Sequence, residues 1–357
     1  MPQQLNIFAQ QPDDDDDDDD LYFEPREQVT RPRLAAAPTI QTPQPPATVL
    51  LEPKPKPRRY PVAYGSHPHK AAQDIAEAVV DAWHRNHGGG QMNIPVGVIA
   101  ALSLWPLKGP DAPLQADYIL GLEARDLVQL LRECWAYWWM RRPDLVHRAA
   151  PIARWTEEDL SDHQLTCIKA VARAAITNGL LTLTGSSDPG DLTEFDLMSW
   201  VITGLRHGAD RKWLGEFHTP PEVCDLMARV QLGDCSDVGP GFSVLEPAAG
   251  TGGMIRAMAQ TMREHRIDPA TCRWHLVELD PIAAAGAAVN MMLWGMGMRT
   301  TVWCGNSLAP VDTAVLAHEE KVELFELRDR MQAGMAMAYA VGKAERLIAG
   351  AVAQKAA

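Results

Sequence analysis

Residues 242–255 read FSVLEPAAGTGGMI, and the parsing of this stretch decides the fold. Phe242, Val244 and Leu245 form a short apolar run with the character of a buried strand, ending at Glu246-Pro247. A turn of small residues follows, Ala248-Ala249-Gly250-Thr251-Gly252-Gly253, and a helical pattern starts at Met254. Strand, glycine-rich turn and helix, in that order, present bare backbone N–H groups at a helix N-terminus to a nucleotide-like ligand. Gly250 and Gly252 are expected to tolerate positive φ and to leave open the space such a ligand needs. The same turn also occurs in α/β domains that bind nothing, so the flanking sequence has to decide.

Downstream, CRWHLVELDP (272–281) reads as a second strand, apolar at Trp274, Leu276, Val277 and Leu279. IAAAGAAVNMMLWGM (282–296) is a helix whose small residues suit close packing on a sheet, and TTVWCGNSL (300–308) is a third strand. The order β-α-β-α-β predicts a parallel, Rossmann-like sheet of three strands. The chain after Leu308 reads as one long helix, with Leu324, Leu327, Met331, Met335 and Ala338 along one face.

Upstream, residues 66–211 read as a helical domain of four or five members. HKAAQDIAEAVVDAWHRNH places Ala72, Ile75, Ala76, Val79 and Trp83 at helical spacing, and Gly88-Gly89-Gly90 stops it. NIPVGVIAALSLWP ends at Pro106, and LEARDLVQLLRECWAYWWMRRPDLV carries Leu127, Leu130, Leu131, Cys134, Trp135 and Trp138 on one face up to Pro143. Its tryptophans are expected in the core, not in a base-stacking platform, because tryptophan at helical spacing is normally buried. A further helix runs through EEDLSDHQLTCIKAVARAAITNGLLTL with Thr156 as N-cap and Asn178-Gly179 as its stop, and another covers Asp191 to Gly208. Trp213 to Pro221 is a loop, and Glu222 to Val230 a helix opened by its prolines.

Residues 1–65 combine the Asp13–Asp20 run with proline-rich segments, a composition that cannot form much core. The basic Lys54–Arg59 segment reads as a solvated spacer. The net charge is −13, and the aspartate run supplies most of it, so the remainder is only mildly acidic and any DNA-binding surface has to be a local patch. Hydrophobic residues make up 46 %, enough for a sizeable core. The six cysteines (Cys134, Cys167, Cys224, Cys235, Cys272, Cys304) show no metal-ligand spacing, which predicts reduced thiols and no metal site. No apolar run reaches the length of a membrane span and the N-terminus is polar and acidic, so a cytoplasmic protein without membrane contact is expected.

In sheets of this kind the ligand sits at the carboxyl ends of the strands. The first strand offers Glu246 and the glycine turn, the second Glu278 with Asp280, and the third Gly305-Asn306-Ser307. A carboxylate after the second strand can accept both hydroxyls of a ribose, which points to an adenosine-bearing ligand.

The stretches HTPPEVCDLM (218–227), LEPAAGTGGMI (245–255), VELDPIAAAGAAVNMMLWGM (277–296) and CGNSL (304–308) resemble, in order and spacing, the motifs of N6-adenine DNA methyltransferases. The likeness is to the modification subunits of type I restriction–modification systems and covers about a quarter of the 357 residues, Gly215 to Leu308. The resemblance implies S-adenosyl-L-methionine as cofactor. It places Thr219 and Pro220 at the edge of its pocket, and Glu246, Pro247, Ala248, Gly250, Thr251 and Gly252 around its methionine part. Glu278 would take the ribose, and Asn306 the adenine ring in place of the family's aspartate, an amide oxygen still being able to accept from an amino group. It also implies that DNA is read through a partner subunit.

One departure is severe. The family holds its flipped adenine with an Asn/Asp-Pro-Pro-aromatic loop after a fourth strand, and no such loop occurs in the 357 residues, so no catalytic residue is assigned. The resemblance is therefore to a methyltransferase truncated before that motif. Three readings stay open: a cofactor-binding protein inactive alone, a methyltransferase completed by another chain, or a non-enzymatic scaffold. With three strands, the first is left as an open apolar edge that invites pairing. The C-terminal helix, a second copy or a partner chain should cover it.

Overall fold

The computed structural model describes residues 68–87, 90–106, 109, 112–206 and 219–356. The acidic and proline-rich tail, the basic Lys54–Arg59 segment and most of the Trp213–Pro221 loop lie outside these residues.

The upstream helices are α1 (Pro68–His87), α2 (Asn93–Ser103), α3 (Ala112–Gly121), α4 (Ala124–Trp139), α5 (Pro143–Arg148), α6 (Ala150–Ala153), α7 (Asp162–Thr177), α8 (Leu180–Leu183), α9 (Pro189–Leu192) and α10 (Leu197–Leu205). The periodic residues of α1, from Ala72 to Trp83, are all buried. So are Leu127, Leu131, Cys134 and Trp135 of α4. Trp138 donates its indole N–H to the Leu104 carbonyl (2.8 Å), and Tyr137 stays at the surface under Arg141, so the aromatic cluster is core with one amphipathic edge.

Two sequence expectations change here, and one helix was not expected. Thr156 caps no helix: it sits in a 3-10 turn, Arg154–Glu157, and its hydroxyl donates to the Ala153 carbonyl (2.8 Å). Ser161 caps α7 instead, in a reciprocal box with Gln164, because a Gln three residues on can return a bond to the cap that Thr156 lacks. The helix expected from Asp191 to Gly208 is two: Asp196 accepts from the Ser199 N–H (3.0 Å) and starts α10 afresh. The helix α3, set among prolines and Gly109, carries no helix signal strong enough to be read from sequence.

Next come α11 (Pro221–Leu232), β1 (Ser243–Glu246), α12 (Gly253–Glu264), β2 (Arg273–Glu278), α13 (Pro281–Leu293), β3 (Thr300–Cys304) and α14 (Thr313–Ala356). The three strands form one parallel sheet in the order β1-β2-β3, with Ser243 opposite Arg273 and Trp274 opposite Thr300. The small residues of α13 are buried from Ala283 to Met292. At Gly286 a Cβ would meet Ile202 Cδ1 at 2.9 Å and Thr251 Cγ2 at 3.1 Å, so only glycine lets α10, α13 and the turn close together. One continuous buried cluster joins the upstream helices to the sheet.

The outer edge of β3 is satisfied by arginines, not by a strand. Arg142 donates to the carbonyls of Gly297 (2.7 Å) and Thr300 (2.9 Å), and Arg148 to that of Val302 (2.9 Å). Asp144 holds the Arg142 guanidinium through two bonds, which keeps this buried charge paired. The helix α14 docks at the same side: Thr313 meets His275 Nε2 (3.0 Å), and Glu320 pairs with Arg148 (2.7 Å). From Met331 to Arg346 its side chains are exposed. This corrects one option for the open edge. The C-terminal helix covers β3, not β1, because Arg148 and His275 anchor its start there. Among the described residues β1 pairs only with β2, and Leu245 on its outer face is 39 % exposed.

Candidate functional site

Alternation along β1 sends Val244 and Glu246 inward and Leu245 outward. Glu246 is thereby a buried carboxylate, 6 % exposed, accepting one bond from the Ala248 N–H (3.2 Å). Burial pushes its pKa upward, the Ala248 N–H opposes this, and the neighbouring Glu278 charge adds to the rise. Among the described residues no cation pairs with it.

The turn after β1 is held from three sides. The Ala249 N–H donates to the Val277 carbonyl (2.9 Å), tying it to β2. Glu278 closes over it: one carboxylate oxygen accepts from the Gly250 N–H (2.7 Å), the other from the Asp280 N–H (2.8 Å). The upstream helices supply the third tie. Asp196, 6 % exposed, accepts from the Thr251 hydroxyl (2.6 Å) and from Asn290 Nδ2 (2.8 Å), and Asn290 Nδ2 also donates to the Thr251 carbonyl (2.8 Å).

The two glycines have different jobs. Gly250 has φ +54°, and a Cβ there would meet nothing within 4 Å, so open space faces the turn at this point. Gly252 has φ +95°, and its Cβ would meet Met291, Trp294 and Leu276. The space kept at Gly252 is protein interior and not ligand room, which revises the expectation for that residue; it lets the start of α12 lie against α13.

A cleft of about 810 Å³ opens between this turn, the start of α11 and the helices α1 and α10. Thr219, Pro220, Ala248, Gly250 and Thr251, all expected site residues, line it. Pro247 links Glu246 to the cleft wall without lining it. Glu278 stands at the end of β2, outside the cleft lining, and reaches the turn through Gly250. Asn306 is exposed at the end of β3, where its side-chain oxygen accepts from the Leu308 N–H (2.9 Å). The structure therefore gathers the turn and the Thr-Pro segment into one cleft and leaves Asn306 outside it.

Sequence reasoning missed the rest of the lining. His69 on α1, Asp196, Trp200 and Thr203 on or beside α10, and Arg256 on α12 all face the cleft. Asp196 sits inside a stretch that reads as one helix, and its bonds to Thr251 and Asn290 span 55 and 94 residues and leave no local pattern. Arg256, 2 % exposed, is paired with Asp225 and donates to the Thr193 carbonyl (3.0 Å). Cys224 also lines the cleft; burial raises its pKa to about 11, so it is a protonated thiol at neutral pH and a poor nucleophile. Among the described residues there is no cluster of three or more metal-ligating side chains, and all six cysteines are free thiols.

Residues 203–323 match the N-6 DNA methylase family, from the end of α10 through the sheet to the first turns of α14. The chain is an N6-adenine DNA methyltransferase-like protein. Both the turn and the Thr-Pro segment of the methyltransferase-like cleft lie inside the matched segment, whereas α1 to α9 lie before it. No curated protein matches the chain. Among the described residues, no helix is long and apolar enough to cross a membrane.

Proposed function

We propose that the methyltransferase-like chain binds S-adenosyl-L-methionine across the glycine turn and transfers no methyl group by itself. The observation that carries the reading is Glu246. It is a buried carboxylate with no cation paired to it among the described residues, beside a turn with open space at Gly250 and a second carboxylate, Glu278. A buried charge of this kind is costly unless a ligand neutralises it, and a cationic ligand that also carries a ribose suits both acids. The residues fit the group: Glu246 offsets its positive charge, and Glu278, with one bond on each oxygen, keeps lone pairs for ribose hydroxyls. Thr219 and Pro220 border the pocket, and Asn306, which lies outside the cleft lining, is the residue assigned to the adenine ring. When bound, the cofactor supplies a methyl group made electrophilic by its sulfonium.

The transfer itself needs groups that hold an adenine amino nitrogen, and the 357 residues contain no Asn/Asp-Pro-Pro-aromatic loop to do so. The reading therefore includes a protein partner that brings DNA. The edge of β1, unpaired among the described residues, and the exposed Leu327, Met331 and Met335 of α14 support such a partner, or a second copy. Calorimetry with S-adenosyl-L-methionine tests the cofactor reading: binding is expected, with a loss of at least tenfold in Glu278→Ala, and no heat with the wild-type chain refutes it. Incubation of the chain alone with labelled cofactor and DNA is expected to leave the DNA unlabelled; labelled adenine would show that this chain is complete.

A further inference from the structure

The cleft has two walls of different origin. One is the turn with Thr219 and Pro220, within the family-matched segment. The other is made by α1 and α10. On this second wall two polar atoms are buried and, among the described residues, have no hydrogen-bond partner: Nδ1 of His69 and Oγ1 of Thr203. Buried polar atoms are normally satisfied, and two orphans facing one cleft mark a place where something polar belongs.

The sheet order says which part of a ligand reaches them. The cleft is lined by the turn that follows β1 and by no residue of β2 or β3. Glu278 and Asn306 stand at the ends of those two strands. A ligand laid over the turn with its ribose on Glu278 therefore directs its opposite end away from β2 and β3, toward α1 and α10.

We propose that His69 and Thr203 bind the amino-acid tail of the cofactor, its α-carboxylate and α-ammonium; this rests on the cofactor reading above. The Thr203 hydroxyl donates to a carboxylate oxygen. Burial, aided by Arg256, holds the His69 ring below its usual pKa, so at neutral pH it is an uncharged imidazole that can accept from an ammonium or donate to a carboxylate. Asp196, Asp225 and Glu222 line the same cleft, and their charges favour the ammonium there. His69 lies outside the family-matched segment and Thr203 is its first residue, so the helical part of the chain contributes to ligand recognition in its own right.

The test compares two neutral ligands on the full chain by calorimetry. S-adenosylhomocysteine carries the amino-acid tail; 5′-methylthioadenosine keeps the adenosine and the thioether and lacks it. His69→Ala and Thr203→Val are each expected to weaken S-adenosylhomocysteine about tenfold, the scale of one lost hydrogen bond, and to leave 5′-methylthioadenosine within about twofold. Thr203→Ser, which keeps the hydroxyl, is expected to bind both ligands as wild type does. Equal losses for the two ligands, or no loss for either, overturn the assignment while leaving the cofactor reading intact. A wild-type chain that binds neither ligand refutes the cofactor reading itself, and this inference with it.

Discussion

Asp196→Ala tests how the glycine turn is held. The carboxylate is 6 % exposed and accepts three bonds: the Ser199 N–H that caps α10, the Thr251 hydroxyl and Asn290 Nδ2. Alanine removes a helix cap, about 1 kcal/mol. It also leaves two buried donors that had been bonded to a charge, each contributing about 1.5–3 kcal/mol. Asn290 keeps its bond to the Thr251 carbonyl, so the losses do not simply add, and about 3–4 kcal/mol is expected in all. Against a typical total of about 5–15 kcal/mol this is a large fraction. Urea unfolding followed by circular dichroism measures it. Thr251→Val should cost about 1–2 kcal/mol, because it removes one of the three bonds. The double variant should cost clearly less than the sum, since both changes delete the same Asp196–Thr251 contact. An Asp196→Ala variant within about 1 kcal/mol of wild type, or strict additivity with Thr251→Val, would refute the reasoning.

Alanine at the two turn glycines should separate fold from binding. Gly252→Ala places a methyl 3.1 Å from Met291 Cε and 3.3 Å from Trp294 Cζ3 at φ +95°, so a loss of about 2 kcal/mol or more is expected in thermal melts. Gly250→Ala meets no neighbour and should cost only about 1 kcal/mol of backbone strain, yet abolish cofactor heat in calorimetry; full binding by that variant would contradict the ligand space assigned there. His275 makes stability pH-dependent. Burial lowers its pKa from 6.5 to about 4, so between those values the unfolded chain binds more protons than the folded one. Its contribution is complete above pH 6.5 and declines as pH falls toward 4, by at most about 1.4 kcal/mol per pH unit. Comparing urea midpoints of wild type and His275→Gln at several pH values checks this, and equal slopes would rule it out.

The sheet was legible because its signals are local. Apolar runs such as Val244–Leu245 and Trp274–Val277 end at turn residues, and the alanine-rich α13 between β2 and β3 spaces them as a parallel unit requires. Helix starts were less legible where two cap-like residues compete. Thr156 and Ser161 both precede α7, and only the Gln164 side chain decides for Ser161. The location of the C-terminal helix was not legible at all. The apolar face read from sequence stays exposed at Leu327, Met331 and Met335, whereas Arg148 and His275, distant in sequence, determine that the start of the helix packs on β3.

The stretch 242–255 by itself determined a strand, a glycine turn and a helix, because apolar periodicity and backbone freedom are properties of neighbouring residues. It also determined that Glu246 and the turn would stand at a strand end. Only the tertiary structure decided that Gly252 guards packing while Gly250 faces open space, since that depends on where Met291 and Trp294 lie. It alone brought α1 and α10 over the turn and placed His69, Asp196 and Thr203 on one cleft. Contacts between residues tens to more than a hundred positions apart are set by how whole helices pack, and packing leaves no mark on the local sequence that a periodicity can reveal.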